Sequence, residues 1–141
     1  MSNDTSTITD TVVDDVVRRV TDGADYPGLA EHYAPDVLLD MNLPTWRFQL
    51  QGREAVTKYF EEQLPGAELR CTHARVDRIA DGVVVESEIR FDGDGGEYLW
   101  RAIDVFRFDG DQITEHVEYC SGCWDPATVE RHGREAPMVR W

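Results

Sequence analysis

The sequence predicts an α+β domain in which N-terminal helices lie against a curved antiparallel sheet that wraps around them as a conical barrel. Three observations carry that prediction. Before residue 66, apolar residues recur at helical spacing in separate stretches. After residue 67 the punctuation changes to Asp81-Gly82, Asp92-Gly93-Asp94-Gly95-Gly96 and Asp109-Gly110-Asp111, which are hairpin signals between runs of strand length. The chain is 141 residues long and 41% apolar, enough for one packed core and too little for two. Helices gathered ahead of an antiparallel sheet place themselves on one of its faces.

The first element, "TVVDDVVRRV", sets propensity against period. Valines favour strands, but Val12, Val13, Val16, Val17 and Val20 share a helical face with charges opposite, so a helix is expected from about Ile8 to Val20. Residues 1–7 are expected to be flexible. A second helix is expected from Tyr26, with Pro27 in its first turn, Leu29, Ala30 and Tyr33 on its inner face, and Pro35 as its end. "DVLLDMNLP" reads as a strand and "TWRFQLQG" as a short extended piece. "GREAVTKYFEEQLPG" is the clearest helix, with Ala55, Val56, Tyr59 and Phe60 on one face and Pro65-Gly66 as its stop. Four antiparallel strands follow, at about 68–80, 83–91, 97–108 and 112–120. A tail from Asp125 begins with a short helix through Arg134. The whole chain, 1–141, is one domain, with 125–141 as a C-terminal tail or lid.

Charge and composition exclude several classes of function. A formal charge of −14 repels nucleic-acid phosphates and anionic lipid, so neither is an expected partner. No apolar run approaches the ~20 residues that span a bilayer. The polar start "MSNDTSTITD" lacks a secretory pattern, which makes a cytoplasmic protein the expectation. Three cysteines cannot pair completely, and a disulfide framework is not expected. Thirteen arginines stand against the single Lys58, a bias without a functional account.

The order of elements, with "YAPDVLLDMN" and "QGREAVTKYF" followed by "RAIDVFRFDGDQITEHVEY", resembles the nuclear transport factor 2-like (cystatin-like) superfamily. Within it the chain is most similar to the SnoaL-like branch of polyketide cyclases and related proteins, over residues 8 to 124. The resemblance implies a conical barrel with a hydrophobic pocket, a homodimer formed through the outer face of the sheet, and no cofactor or metal. The superfamily holds isomerases, epoxide hydrolases, dehydratases and non-catalytic binders, so the fold alone does not fix the reaction.

The last hairpin carries the candidate chemistry. His116, Glu118 and Cys120 alternate onto one face of the final strand; Trp100, Ala102, Asp104 and Phe106 share a face of the strand before it. Both faces of that earlier strand are apolar, so alternation does not say which is inward. The resemblance does, because a last-strand carboxylate of the family faces the cavity and Glu118 matches it. Glu118 is then the expected base, with Asp104 and His116 as proton partners. A carboxylate among aromatic side chains loses hydration and holds its proton more tightly, which suits it to proton transfer near neutrality. The same groups read equally well as an ion-paired set that closes the sheet.

Asp40 is a further catalytic candidate and Asn42 an orienting group, both on one face of the first strand. Met41 stands where the isomerase pattern wants an aspartate. Glu86 and Glu88 in "VVVESEIRF" stand where limonene-type epoxide hydrolases need Arg and Asp, which leaves epoxide hydrolysis an alternative. Tyr26, Tyr33, Trp46, Tyr59, Phe60, Trp100 and Phe106 are candidates to line the pocket or simply core.

"CSGC" at 120–123 follows an antiparallel meander and not the βαβ context of a redox motif; with no second matched pair it is also half a zinc clip at most. Its plainer reading is an exit turn at Ser121-Gly122. The tail ending "REAPMVRW" is read either as a lid on the cone's mouth or as a docking segment. The sequence therefore predicts a cofactor-independent acid–base enzyme acting on a hydrophobic, oxygenated small molecule by cyclisation, isomerisation or dehydration. A non-catalytic binder and a purely structural dimerising module are the rivals.

Overall fold

In a computed structural model the described residues are 10–141. The expected start of the first helix at Ile8, and residues 1–7, lie outside them. Helix α1 spans Asp10–Thr21 and buries Val13, Val16 and Val20, so helical period overrides the strand preference of its valines. The expected second helix is only a 3-10 turn, Pro27–Glu31. Tyr33 and Pro35 belong instead to strand β1, Tyr33–Leu43, whose register shifts against its neighbour between Tyr33 and Leu38. The proline sits at that irregularity, where a missing N–H does no harm. Strand β2 (Trp46–Gln51) and helix α2 (Arg53–Gln63) follow. Then come β3 (Arg70–Ile79), β4 (Gly82–Gly93), β5 (Gly96–Asp109), β6 (Gln112–Cys120) and helix α3 (Pro126–Glu135).

The strands form one curved, unclosed sheet in the order β2-β1-β6-β5-β4-β3. All pairs are antiparallel except β1 with β6, which run parallel, so the sheet is mixed and not antiparallel throughout. A parallel neighbour needs a long connection, and here everything from β2 to β5 supplies it. α1 packs against β3 and β4, α2 against β1 and β2, and the core fills the hollow between helices and sheet.

The chain leaves β6 at Gly122, which takes a left-handed φ of 81° that favours glycine. Trp124 pairs with Leu99 by two backbone hydrogen bonds, and the Asp125 side chain caps α3 by accepting from the Thr128 N–H at 2.8 Å. α3 packs on β5, and Trp141 lies on His73 of β3. The tail thus crosses the outer face of the sheet instead of covering the cone's mouth. No helix among the described residues is long and apolar enough to cross a membrane.

Candidate active site

The parity of the last two strands decides which side chains meet in the hollow. Asp104 pairs with Glu118 and Phe106 with His116 across the β5–β6 hairpin, and Met41 of β1 pairs with Glu118 from the other side. These side chains share the concave face, and Asp104, His116 and Glu118 are all buried there. Such groups are costly to bury unless paired, and most of their atoms are. His116 Nε2 lies 2.6 Å from Asp104 Oδ1. A carboxylate only accepts, so Nε2 carries the hydrogen toward it. The Tyr26 hydroxyl donates to Asp104 Oδ2 at 2.9 Å, and the Tyr33 hydroxyl meets His116 Nδ1 at 2.8 Å. Phe106 and Phe60 pack on the imidazole, with ring centroids at 4.3 and 5.7 Å. Burial raises both tyrosine pKa values well above their ordinary range, and the nearby Asp104 adds to it, so both hydroxyls keep their protons.

Glu118 is only partly paired, through its hydrogen bond with Asp104. Its Oε1 is buried without a hydrogen-bond partner. Burial raises its pKa well above the ordinary value, and Asp104 pushes it further in the same direction. Both effects favour the protonated form of Glu118. The carboxyl forms part of the wall of a cavity of about 370 Å³ between α2 and the sheet. Tyr26, Tyr59, Phe60, Phe91 and Trp100 supply aromatic surface, and Gln63-Leu64-Pro65 at the end of α2 form part of the rim. No arginine, lysine or histidine lines it.

Several expected residues lie elsewhere. Asp40 and Asn42 pair with Val117 and Tyr119, on the outer face of the sheet. Asp40 accepts from Arg47 Nε at 2.8 Å, and this arginine holds its carboxyl below the usual range. Asn42 donates to the Glu118 main-chain oxygen at 3.2 Å. Leu38 and Leu39 are adjacent, so the strand's apolar pattern hid its parity. Trp46 opens β2, the expected extended piece, but is 68% exposed and forms no part of the cavity wall. Tyr33 and Phe106 sit beneath the cavity, supporting His116, and neither forms its wall. Glu86 and Glu88 alternate with inward Ser87 and Ile89, so no carboxylate–arginine clamp of the epoxide-hydrolase kind is built at the cavity.

Sequence reasoning missed Met41, Phe91 and the α2 terminus as lining. Cys120, on the same strand face as Glu118, reaches the cavity wall as the alternation implies, and Cys123, read as part of the exit turn, reaches it too. All three cysteines are free, and burial pushes the Cys120 thiol up to about 12, which leaves it an inert packing group. Asp104, His116 and Glu118 bring ligand atoms within 4.8 Å of one another, close enough to consider a cation. Both His116 nitrogens are already engaged, however, and a metal would have to break the contact with Asp104 or Tyr33. The trio does not fit a metal well.

A curved mixed sheet, helices in its hollow and a carboxyl on the last strand facing an apolar cavity define the class of nuclear transport factor 2-like cones. Residues 13–116 match the SnoaL-like domain, and the chain belongs to that family. Among solved structures it is similar to a candidate SnoaL-like polyketide cyclase from Jannaschia sp. CCS1, with TM-score 0.63 and 16% identity over 97% of this chain and 100% of that one. An NTF2-like protein of unknown function from Cytophaga hutchinsonii ATCC 33406 aligns with TM-score 0.60 and 22% identity, covering 78% and 96%. A protein of ketosteroid isomerase-like fold from Catenulispora acidiphila DSM 44928, in complex with trimethylamine, gives TM-score 0.56 and 18% identity over 86% and 90%. No curated protein matches the chain in sequence.

Proposed function

We propose that the protein is a cofactor-independent enzyme that moves protons on a hydrophobic, oxygen-bearing small molecule, in an isomerisation, cyclisation or dehydration. One observation carries this reading: the Glu118 carboxyl stands at the wall of an aromatic cavity with a buried oxygen that nothing in the protein satisfies, where burial favours its protonated form. A ligand carbonyl satisfies it. Glu118 then donates its proton to that oxygen as the carbon skeleton rearranges, and the carboxylate left behind removes a proton from a neighbouring carbon. The proton count closes without a co-reactant. Glu118 therefore works first as an acid and only then as the base expected from the sequence. Burial raises the affinity of Glu118 for its proton, and Asp104, fixed by Tyr26 and His116, raises it further.

The test is a turnover screen of hydrophobic carbonyl compounds against wild type, Glu118→Gln and Asp104→Asn. Proton transfer by a placed side chain contributes about 10²–10⁴-fold. A converted compound should lose that much turnover in Glu118→Gln while still binding. Equal turnover in all three proteins removes the assignment, and a compound held by wild type without conversion makes the protein a binder.

We also propose that two copies associate through the outer face, where Ile103 and Tyr119 are 39% and 55% exposed. Light scattering should give the mass of two chains; the mass of one chain at tens of micromolar, above the roughly micromolar Kd of a modest interface, rules the association out.

A further inference from the structure

A second cavity, of about 340 Å³, lies on the outer face between the sheet and the tail. Its sheet wall includes His73, Glu88 and Arg101, neighbours in register on β3, β4 and β5. Leu99, Met138 and Val139 give it an apolar side, and the last two are exposed at its rim. Trp141 stacks flat on His73, with centroids 4.8 Å apart. The guanidinium groups of Arg101 and Arg140 both rest on that indole, 5.1 and 5.7 Å from its centroid.

Charge pairing sets these two arginines apart. Every other arginine except Arg53 contacts a carboxylate, and Arg53 donates to the Tyr33 main-chain oxygen. Among the described residues neither Arg101 nor Arg140 contacts an Asp or Glu side chain. Arg140 is held only loosely, by an oxygen of the final residue Trp141 at 3.4 Å, while the Arg101 Nε is buried with no hydrogen-bond partner and is the stronger of the two claims on an anion. Scarcity does not explain this, since 28 acidic residues stand against 14 basic ones. Glu88, the carboxylate at this wall, is held by Thr72 at 2.7 Å and Arg90 at 3.2 Å. A buried guanidinium N–H without an acceptor is costly, and an anionic oxygen is the acceptor it binds most strongly.

We propose that this cavity is a second ligand site, which takes a small amphiphilic carboxylate: the anionic head between Arg101 and Arg140, the apolar body against Leu99, Met138 and Val139. The apolar side favours an organic acid over a bare inorganic anion. The site is separate from the Glu118 cavity, on the other face of the sheet, and stands or falls apart from the proton-transfer reading.

Titration calorimetry with octanoate tests it, with acetate lacking the chain and 1-octanol lacking the charge. Octanoate should bind, and both controls should bind at least roughly tenfold more weakly. Arg101→Gln and Arg140→Gln should each weaken octanoate by a similar factor. Arg140 is exposed, so its variant reads the site even where the Arg101 variant fails to fold. The proposal is overturned if octanoate does not bind, if 1-octanol binds as tightly, or if the Arg140 variant binds like wild type. It is also overturned if Glu118→Gln abolishes binding, which would put octanoate in the other cavity.

Discussion

Replacing Asp104 by leucine is expected to destabilise the protein by about 3–5 kcal/mol, the usual consequence of removing one partner from a buried hydrogen-bonded pair. Two donors converge on this carboxylate, the Tyr26 hydroxyl and His116 Nε2, and neither reaches water. Leucine fills the space and satisfies neither. Asparagine is expected to cost far less, about 1–2 kcal/mol, because the imidazole can change tautomer. The asparagine oxygen still accepts from Tyr26 and its amide donates to Nε2, while Nδ1 turns its hydrogen toward Tyr33. Urea denaturation of the two variants measures the difference. Equal losses would mean that the network does not adapt in this way. Asp104→Asn thus stays folded well enough to report on chemistry, which Asp104→Leu does not.

The second large effect concerns pH. The Glu118 pKa is raised in the folded protein, so its contribution to stability is fully present below the unfolded value of about 4.3. It is lost as pH rises through the folded value. Wild type therefore weakens relative to Glu118→Gln, which cannot ionise. The gap should open from about pH 4–5 upward with a slope approaching 1.4 kcal/mol per pH unit, until the folded pKa is passed. Paired unfolding curves from pH 4 to 9 would show it. A gap that stays flat across that range would mean an ordinary Glu118, and the proposed acid would lose its basis.

How much of this was legible in the sequence varied with distance along the chain. Hairpin turns are local signals, and the four strands after residue 67 fell near their expected places. Alternation grouped His116 with Glu118, and separately Asp104 with Phe106, because a strand's period of two is strict. The inward direction came from the family resemblance, since both faces of β5 are apolar. Tyr33 was assigned to a helix because Pro27 and the spacing of Leu29 and Ala30 support one, yet pairing with β6 draws the chain into a strand. Asp40 looked like a cavity residue until Met41, in register with Glu118, fixed the parity of β1. The contacts of Tyr26 with Asp104 and of Tyr33 with His116 join residues 78 and 83 positions apart, and no local pattern announces them.

That separation has a bearing on how the molecule comes into being. The parallel seam between β1 and β6 forms only after the chain has emerged to about residue 119, and contacts so distant in sequence are slow to close. During synthesis the early tyrosines wait without their eventual partners. A fragment ending before the last hairpin lacks Asp104, His116 and Glu118 altogether, so the buried acidic centre can assemble only near the end of folding.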